Sequence, residues 1–115
     1  MKRILVVDDD PSIVDKLSRL LAGKYRVGVA SNGFEALRRL DAEGFDLMLL
    51  DLRMPGLDGA GLVHELRAHG IEMPTILMSA FANVAGQARE LGVKNYLAKP
   101  FDIERLEAMI DDLVG

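Results

Sequence analysis

The chain has 115 residues, half of them hydrophobic and 28% charged, with a net charge of −4 and no cysteine. That length holds one domain with a real core, and the composition is far from that of disordered chains. The acidic balance gives no electrostatic footprint for nucleic acid, and the missing cysteines exclude a disulfide framework and a thiolate zinc site.

The first apolar run, Ile4 to Val7, follows Met1-Lys2-Arg3 and resembles the start of a signal peptide, but it stops at Asp8-Asp9-Asp10. A signal core needs roughly 7–15 apolar residues and a membrane span roughly 20, so a cytoplasmic chain that makes no membrane contact is expected. The run instead reads as a strand. Asp10 and Pro11 then look like the cap and first residue of a helix whose face carries Ile13, Leu17, Leu20 and Leu21.

A weaker strand follows at Val27 to Ala30, diluted by Gly28, and a second helix starts at Ser31 or Asn32 with Ala36, Leu37 and Leu40 inward. Leu47 to Leu50 is the third strand. The turn-rich Pro55-Gly56-Leu57-Asp58-Gly59 leads into a third helix from about Ala60 to Ala68. Thr75 to Met78 is the fourth strand, about Ala82 to Leu91 the fourth helix, with Gly92 as its stop. A short fifth strand spans Tyr96 to Ala98, and Asp102 caps a last helix with the stripe Ile103, Leu106, Ile110 and Leu113. Strands and helices that alternate in this way build a parallel α/β sheet. The first, third and fourth strands are apolar on consecutive residues and should be central, with the second and fifth at the edges.

In such sheets ligands bind outside the carboxyl ends of the strands. Asp8 and Asp9 follow the first strand, Asp51 the third, Ser79 the fourth and Lys99 the fifth. Neighbouring carboxylates repel unless a cation neutralises them, and oxygen ligands that leave room for water suit Mg²⁺. Each residue also has an ordinary role available. The aspartates could be loop and cap residues, which is the reading favoured for Asp10; Asp51 could be a turn residue, Ser79 could bond its own backbone, and Lys99 could be solvated. Placement of all of them on one rim would then be coincidence. His64 and His69 read as surface residues, and the methionines as gap-filling core.

The residues on this rim sit in the segments Ile4-Leu5-Val6-Val7-Asp8-Asp9, Leu49 to Gly59, Met78-Ser79-Ala80 and Tyr96 to Phe101. In order and spacing these segments resemble the receiver domains of two-component and phosphorelay response regulators over essentially residues 1–115. The run Ala98 to Ile103 looks in addition like single-domain phosphorelay intermediates. The resemblance implies a flavodoxin-like, doubly wound (βα)5 fold with strand order 2-1-3-4-5 and a cis bond at Lys99-Pro100. It further implies that Asp51 is the phosphorylated nucleophile, with Mg²⁺ held directly by Asp9, Asp51 and the carbonyl of Arg53, and by Asp8 through water. Ser79 and Lys99 would bind the phosphoryl oxygens, and Ser79 with Tyr96 would form a switch; an ordinary surface aromatic is the other place for Tyr96, and the resemblance favours the switch. Arg53 and Phe81 would flank the pocket and tune hydrolysis, Phe81 having an alternative place packed at the start of the fourth helix.

The donor implied is a histidine kinase or histidine phosphotransfer protein, and a downstream protein would read the face of the fourth helix, fifth strand and fifth helix. The resemblance points to a monomer or weak dimer that transfers phosphate to itself and loses it slowly, without a turnover substrate. Two other readings compete. A phosphatase of the haloacid dehalogenase type would use Asp8 of Asp8-Asp9-Asp10 as nucleophile, but its later acidic pair, Asp111-Asp112, falls inside a helical pattern. An interaction module could carry the fold with its acidic site unused.

Overall fold

The computed structural model describes residues 1–54, 56–80 and 83–114. Strands β1 (Arg3–Val7), β2 (Arg26–Ala30), β3 (Leu47–Asp51), β4 (Thr75–Ser79) and β5 (Asn95–Ala98) alternate with helices α1 (Pro11–Leu21), α2 (Gly33–Ala42), α3 (Gly59–Ala68), α4 (Val84–Leu91) and α5 (Ile103–Val114). All strand pairs are parallel and the order is β2-β1-β3-β4-β5. This is the doubly wound arrangement expected, with the three strands that are apolar on consecutive residues in the centre.

The pleat explains why those strands carry apolar residues in unbroken runs, Ile4 to Val7, Leu47 to Leu50 and Ile76 to Met78. Leu5, Val7, Met48, Leu50 and Leu77 point to one face and meet Ala36 of α2, Leu62 and Leu66 of α3, and Ala88 of α4. Ile4, Val6, Leu47, Leu49, Ile76 and Met78 point to the other and meet Leu17 and Leu21 of α1 and Leu106 and Ile110 of α5. A residue of either parity is therefore buried, which alternation with polar residues would forbid. Met48, Met54 and Met78 are buried, and Met73 and Met109 pack against the two cores, as gap-fillers should. Met1 is exposed instead.

The caps are side-chain acceptors for first-turn amides. Asp10 accepts from Ser12, Asn32 from Glu35, Asp58 from Gly61 and Asn83 from Gly86. Gly92 closes α4 in the left-handed conformation, with φ of 69°, and Asp102 accepts the Glu104 N–H. Two details differ from the sequence expectation. Cap Asp58 starts α3 at Gly59, ahead of Ala60. Leu20 is exposed, because the buried stripe of α1 runs through Ile13, Val14, Leu17 and Leu21 and leaves Leu20 at its rim. His64 and His69 are exposed.

Asp111, one of the two acidic residues that the phosphatase reading would need at a strand end, lies in α5 and accepts the hydroxyl of Tyr25 at 2.5 Å. That hydrogen bond, with burial and the charges of Asp111 and Glu107 behind it, pushes the phenol up to about 12. A group raised in the folded state adds stability below its unfolded value, ordinarily near 10, and loses it as pH climbs through the folded value. Urea unfolding should therefore show stability falling between pH 10 and about 12, with a flatter profile in Tyr25→Phe. At neutral pH that variant should lose about 1 kcal/mol, the usual worth of one hydrogen bond.

Candidate phosphoacceptor site

Parallel register delivers the polar residues of separate strands to one rim. Asp51 is the last residue of β3 and pairs with Met78, and Ser79, the last residue of β4, pairs with Ala98 just before Lys99. The Lys99 N–H donates to the Ser79 carbonyl at 2.7 Å, so the ends of β4 and β5 are tied together beyond the last pair. On the other side of β3, the Asp8 N–H donates to the Ala30 carbonyl at 3.1 Å, which carries the β1–β2 pairing one residue past Val7.

Asp8 and Ser79 are 1% and 0% exposed and Asp51 is 6% exposed, whereas Asp9 faces solvent. The Lys99 ammonium lies 2.8 Å from Asp8 Oδ2 and 3.4 Å from Asp51 Oδ1. The other oxygen of Asp8, Oδ1, accepts the Asp10 N–H at 3.0 Å. Asp8, Asp9 and Asp51 each offer an oxygen, and these oxygens lie within 4.8 Å of one another.

Burial pushes the Asp51 carboxyl above its ordinary value, and the charge of Asp8 pushes the same way. The Lys99 ammonium and the Arg53 N–H, which donates to the carboxylate, only partly oppose them. For Lys99 the largest single effect is burial, which favours the neutral amine, but its ion pairs with Asp8 and Asp51 together outweigh it and raise the group. Two buried carboxylates thus share one ammonium, and a third carboxylate stands beside them in solvent. That donor set, all oxygen with one side open to water, fits a hard divalent cation such as Mg²⁺.

The response regulator receiver domain model matches residues 4–111. The chain belongs to this receiver family. It is similar to a receiver domain of a Francisella response regulator, at 31% identity and a TM-score of 0.91, over 98% of this chain and 96% of that one. It is also similar to the Thermotoga maritima response regulator TrrA in complex with Mg²⁺-BeF, at 33% identity and a TM-score of 0.88, over 99% of this chain and 100% of that one. Among curated proteins it is 38% identical to the transcriptional regulatory protein ZraR of Klebsiella oxytoca, over 97% of this chain and 26% of that protein. It is 42% identical to the probable transcriptional regulator ycf27 of Cyanophora paradoxa, over 98% of this chain and 48% of that protein. The chain therefore spans about a quarter to a half of these curated relatives. Receiver domains are typically phosphoacceptors rather than turnover enzymes, and the receiver's acidic pocket of Asp8, Asp9 and Asp51 is of that type.

The structure brings Asp8, Asp9, Asp51 and Lys99 together and places Ser79 at the same rim. The Lys99–Pro100 peptide is cis. Arg53 projects from the loop after β3 and is exposed, with its N–H on Asp51. Tyr96 lies apart from the rim on β5, 39% exposed. Phe81 lies outside the described residues. Among the described residues no helix is long and apolar enough to cross a membrane.

One contributor was missed in the sequence. A Cβ on Gly59 would stand 2.6 Å from the Asp51 carbonyl oxygen and 2.8 Å from Leu52 Cα, so the start of α3 seats directly on the Asp51 backbone. A glycine in a turn-rich run signals conformation, and nothing local signals this approach.

Because Asp51 is raised in the folded state, its ionisation opposes folding. Stability is fully present below the unfolded value, near 3.9, and declines as pH rises through the folded value. Asp51→Asn should then be more stable than wild type at pH 7 by about 1 kcal/mol in urea unfolding, within the range common for relieved functional sites. The advantage should shrink toward pH 4. An Asp51→Asn protein less stable than wild type at pH 7 would contradict the assigned repulsion.

Proposed function

We propose that this receiver takes a phosphoryl group on Asp51 from a phosphohistidine donor and signals through the resulting change in charge. The observation that carries the reading is the position of the Asp51 carboxylate, buried at the rim, 3.4 Å from an ammonium and within 4.8 Å of two more carboxylate oxygens. An oxygen of Asp51 attacks phosphorus as the P–N bond to the donor imidazole breaks. Phosphoryl transfer asks little covalent chemistry of a protein, and the acceleration comes from alignment and neutralised charge.

Asp9, Asp51 and the Arg53 carbonyl would hold Mg²⁺ directly and Asp8 through water. When bound, the ion neutralises the carboxylates and the equatorial phosphoryl oxygens. Lys99 leaves its pairing with Asp51 to meet the new phosphate, and the Ser79 hydroxyl donates to one of its oxygens. The TrrA complex with Mg²⁺-BeF supports this choice of cofactor. Phosphorylation draws Ser79 toward the phosphate and Tyr96 inward, so that a downstream protein reads the α4–β5–α5 face. The donor is a histidine kinase or a histidine phosphotransfer protein. The chain is a cytoplasmic monomer or weak dimer with no nucleic-acid contact of its own and no turnover substrate. Slow hydrolysis, tuned at Arg53 and Phe81, ends the signal.

The phosphatase alternative would require Asp8 as nucleophile. Both of its oxygens are engaged, by Lys99 and by the Asp10 N–H, and its side chain is shut from solvent.

Acetyl phosphate with Mg²⁺ should add one acid-labile phosphate to the wild type and none to Asp51→Asn, as read by intact mass. Equal labelling of the two proteins would place the phosphate elsewhere. In a Mg²⁺ titration, Asp9→Ala should lose more affinity than Asp8→Ala, a direct ligand contributing more than one acting through water. The reverse order, in two folded variants, would exchange their roles.

A further inference from the structure

We infer that Gly33 and Phe34, the first residues of α2, are positioning residues for the loop that follows Asp51, an inference that rests on the phosphoacceptor reading of the rim. Gly33 is buried behind cap Asn32. Its φ is not positive, since among the described residues Gly56, Gly70 and Gly92 are the glycines with that conformation. Glycine is also a poor helix former, about 1 kcal/mol worse than alanine. Neither conformation nor propensity asks for glycine here, but space does. A Cβ on Gly33 would sit 2.8 Å from both Cβ and Cγ of Leu57, and closer still to the Leu57 carbonyl oxygen. The same carbonyl accepts the Gly33 N–H at 3.0 Å, which satisfies one of the amides that a helix start leaves without an intrahelical partner.

Leu57 is held from the far side as well. Its Cδ1 lies 2.6 Å from where a Cβ on Gly61 of α3 would stand. Phe34 follows Gly33 and lays its ring over Gly56, 3.4 Å from the position of a Cβ there, although 62% of Phe34 remains exposed. Two residues beyond Leu57, the Gly59 N–H donates to the Leu52 carbonyl at 3.1 Å and Gly59 seats on the Asp51 carbonyl. The loop that carries Arg53 is thus pinned to α2 at Leu57 and to the Asp51 backbone at Gly59. α2 itself contributes no side chain to the rim. Its effect passes through Leu57, in the way that outer partners of a metal ligand fix its orientation.

The test compares wild type, Gly33→Ala, Phe34→Ala and the control Gly23→Ala, whose new Cβ would meet nothing within 4 Å. Each protein is titrated with Mg²⁺ and followed by amide shifts. The Gly59 amide exchange rate is measured relative to β3 amides, and stability is measured in urea. Gly33→Ala should weaken Mg²⁺ binding about tenfold, the low end for outer-partner changes, and should speed Gly59 exchange while β3 exchange holds. Phe34→Ala should move both in the same direction by less, and Gly23→Ala should move neither. A folded Gly33→Ala with wild-type Mg²⁺ affinity and wild-type Gly59 exchange overturns the inference. If Gly33→Ala does not fold, an unchanged Gly59 exchange rate in Phe34→Ala overturns it equally. A wild type that binds no Mg²⁺ sinks the phosphoacceptor reading alone, and the Gly59 exchange rates then decide the clamp by themselves.

Discussion

Two buried carboxylates facing one ammonium set the terms for the rest of this structure. Asp8 and Asp51, both buried, repel each other, and Lys99 is the cation that makes their approach tolerable. Lys99 can do so because β5 is parallel to β4 in a register that sets Ala98 against Ser79 and so brings Lys99 one residue past the last pair, and because its own N–H is bonded to the Ser79 carbonyl. A shift of one residue in that pairing would turn the lysine to the opposite face of the sheet. The charge balance at the rim is therefore a consequence of strand register, and the register is held by the hydrophobic faces far below it.

Those faces explain how the molecule carries an unfavourable rim. β1, β3 and β4 are buried on both sides between α2, α3 and α4 on one face and α1 and α5 on the other. Burying such side chains is worth about 1.5–3 kcal/mol each before the entropy of ordering is set against it. Strain of electrostatic origin concentrates at functional sites because the surrounding scaffold over-determines the geometry. Here the scaffold is the sheet, and the strained groups stand at the ends of its strands, where their displacement disturbs the core least.

How much of this was legible in the sequence depended on the distance over which each residue does its work. Runs such as Leu47 to Leu50 declare a buried strand by themselves, and Asp10-Pro11, Asn32 and Gly92 mark helix ends through bonds to near neighbours. The rim residues were legible because topology alone fixes where strand ends lie. Leu20 was misleading, since a helical stripe has a rim and only packing decides which leucine occupies it. Gly33 and Gly59 were illegible, because what they make room for, Leu57 and the Asp51 carbonyl, is set by the fold. The same holds for Phe45, which lies across Gly28 of edge strand β2 with Arg3 and Arg39 over its ring, 5.2 and 5.8 Å from its centre. Both arginines pair with Glu43; the i,i+4 spacing of Arg39 and Glu43 is readable in the sequence, but nothing there announces that Arg3 and the Phe45 ring join them.

The position of β5 bears on where a signal can leave the rim. It is the shortest strand, it lies at the edge of the sheet, and only Leu97 of its four residues is buried. Tyr96 lies on, and Lys99 directly follows, an edge strand with a strand neighbour on one side, whereas Asp8 directly follows and Asp51 ends strands paired on both sides. Local opening is easiest where buried apolar contacts are fewest. A change of charge on Asp51 alters the field at Lys99 first, since that ammonium is 3.4 Å away. The Lys99 backbone continues directly from the end of β5 and, through the Ser79 carbonyl, is tied to the end of β4. On the phosphoacceptor reading, rigid strands hold the chemistry and a lightly held edge strand conveys it, so the cation that balances the resting charges is also the group placed to pass on their change.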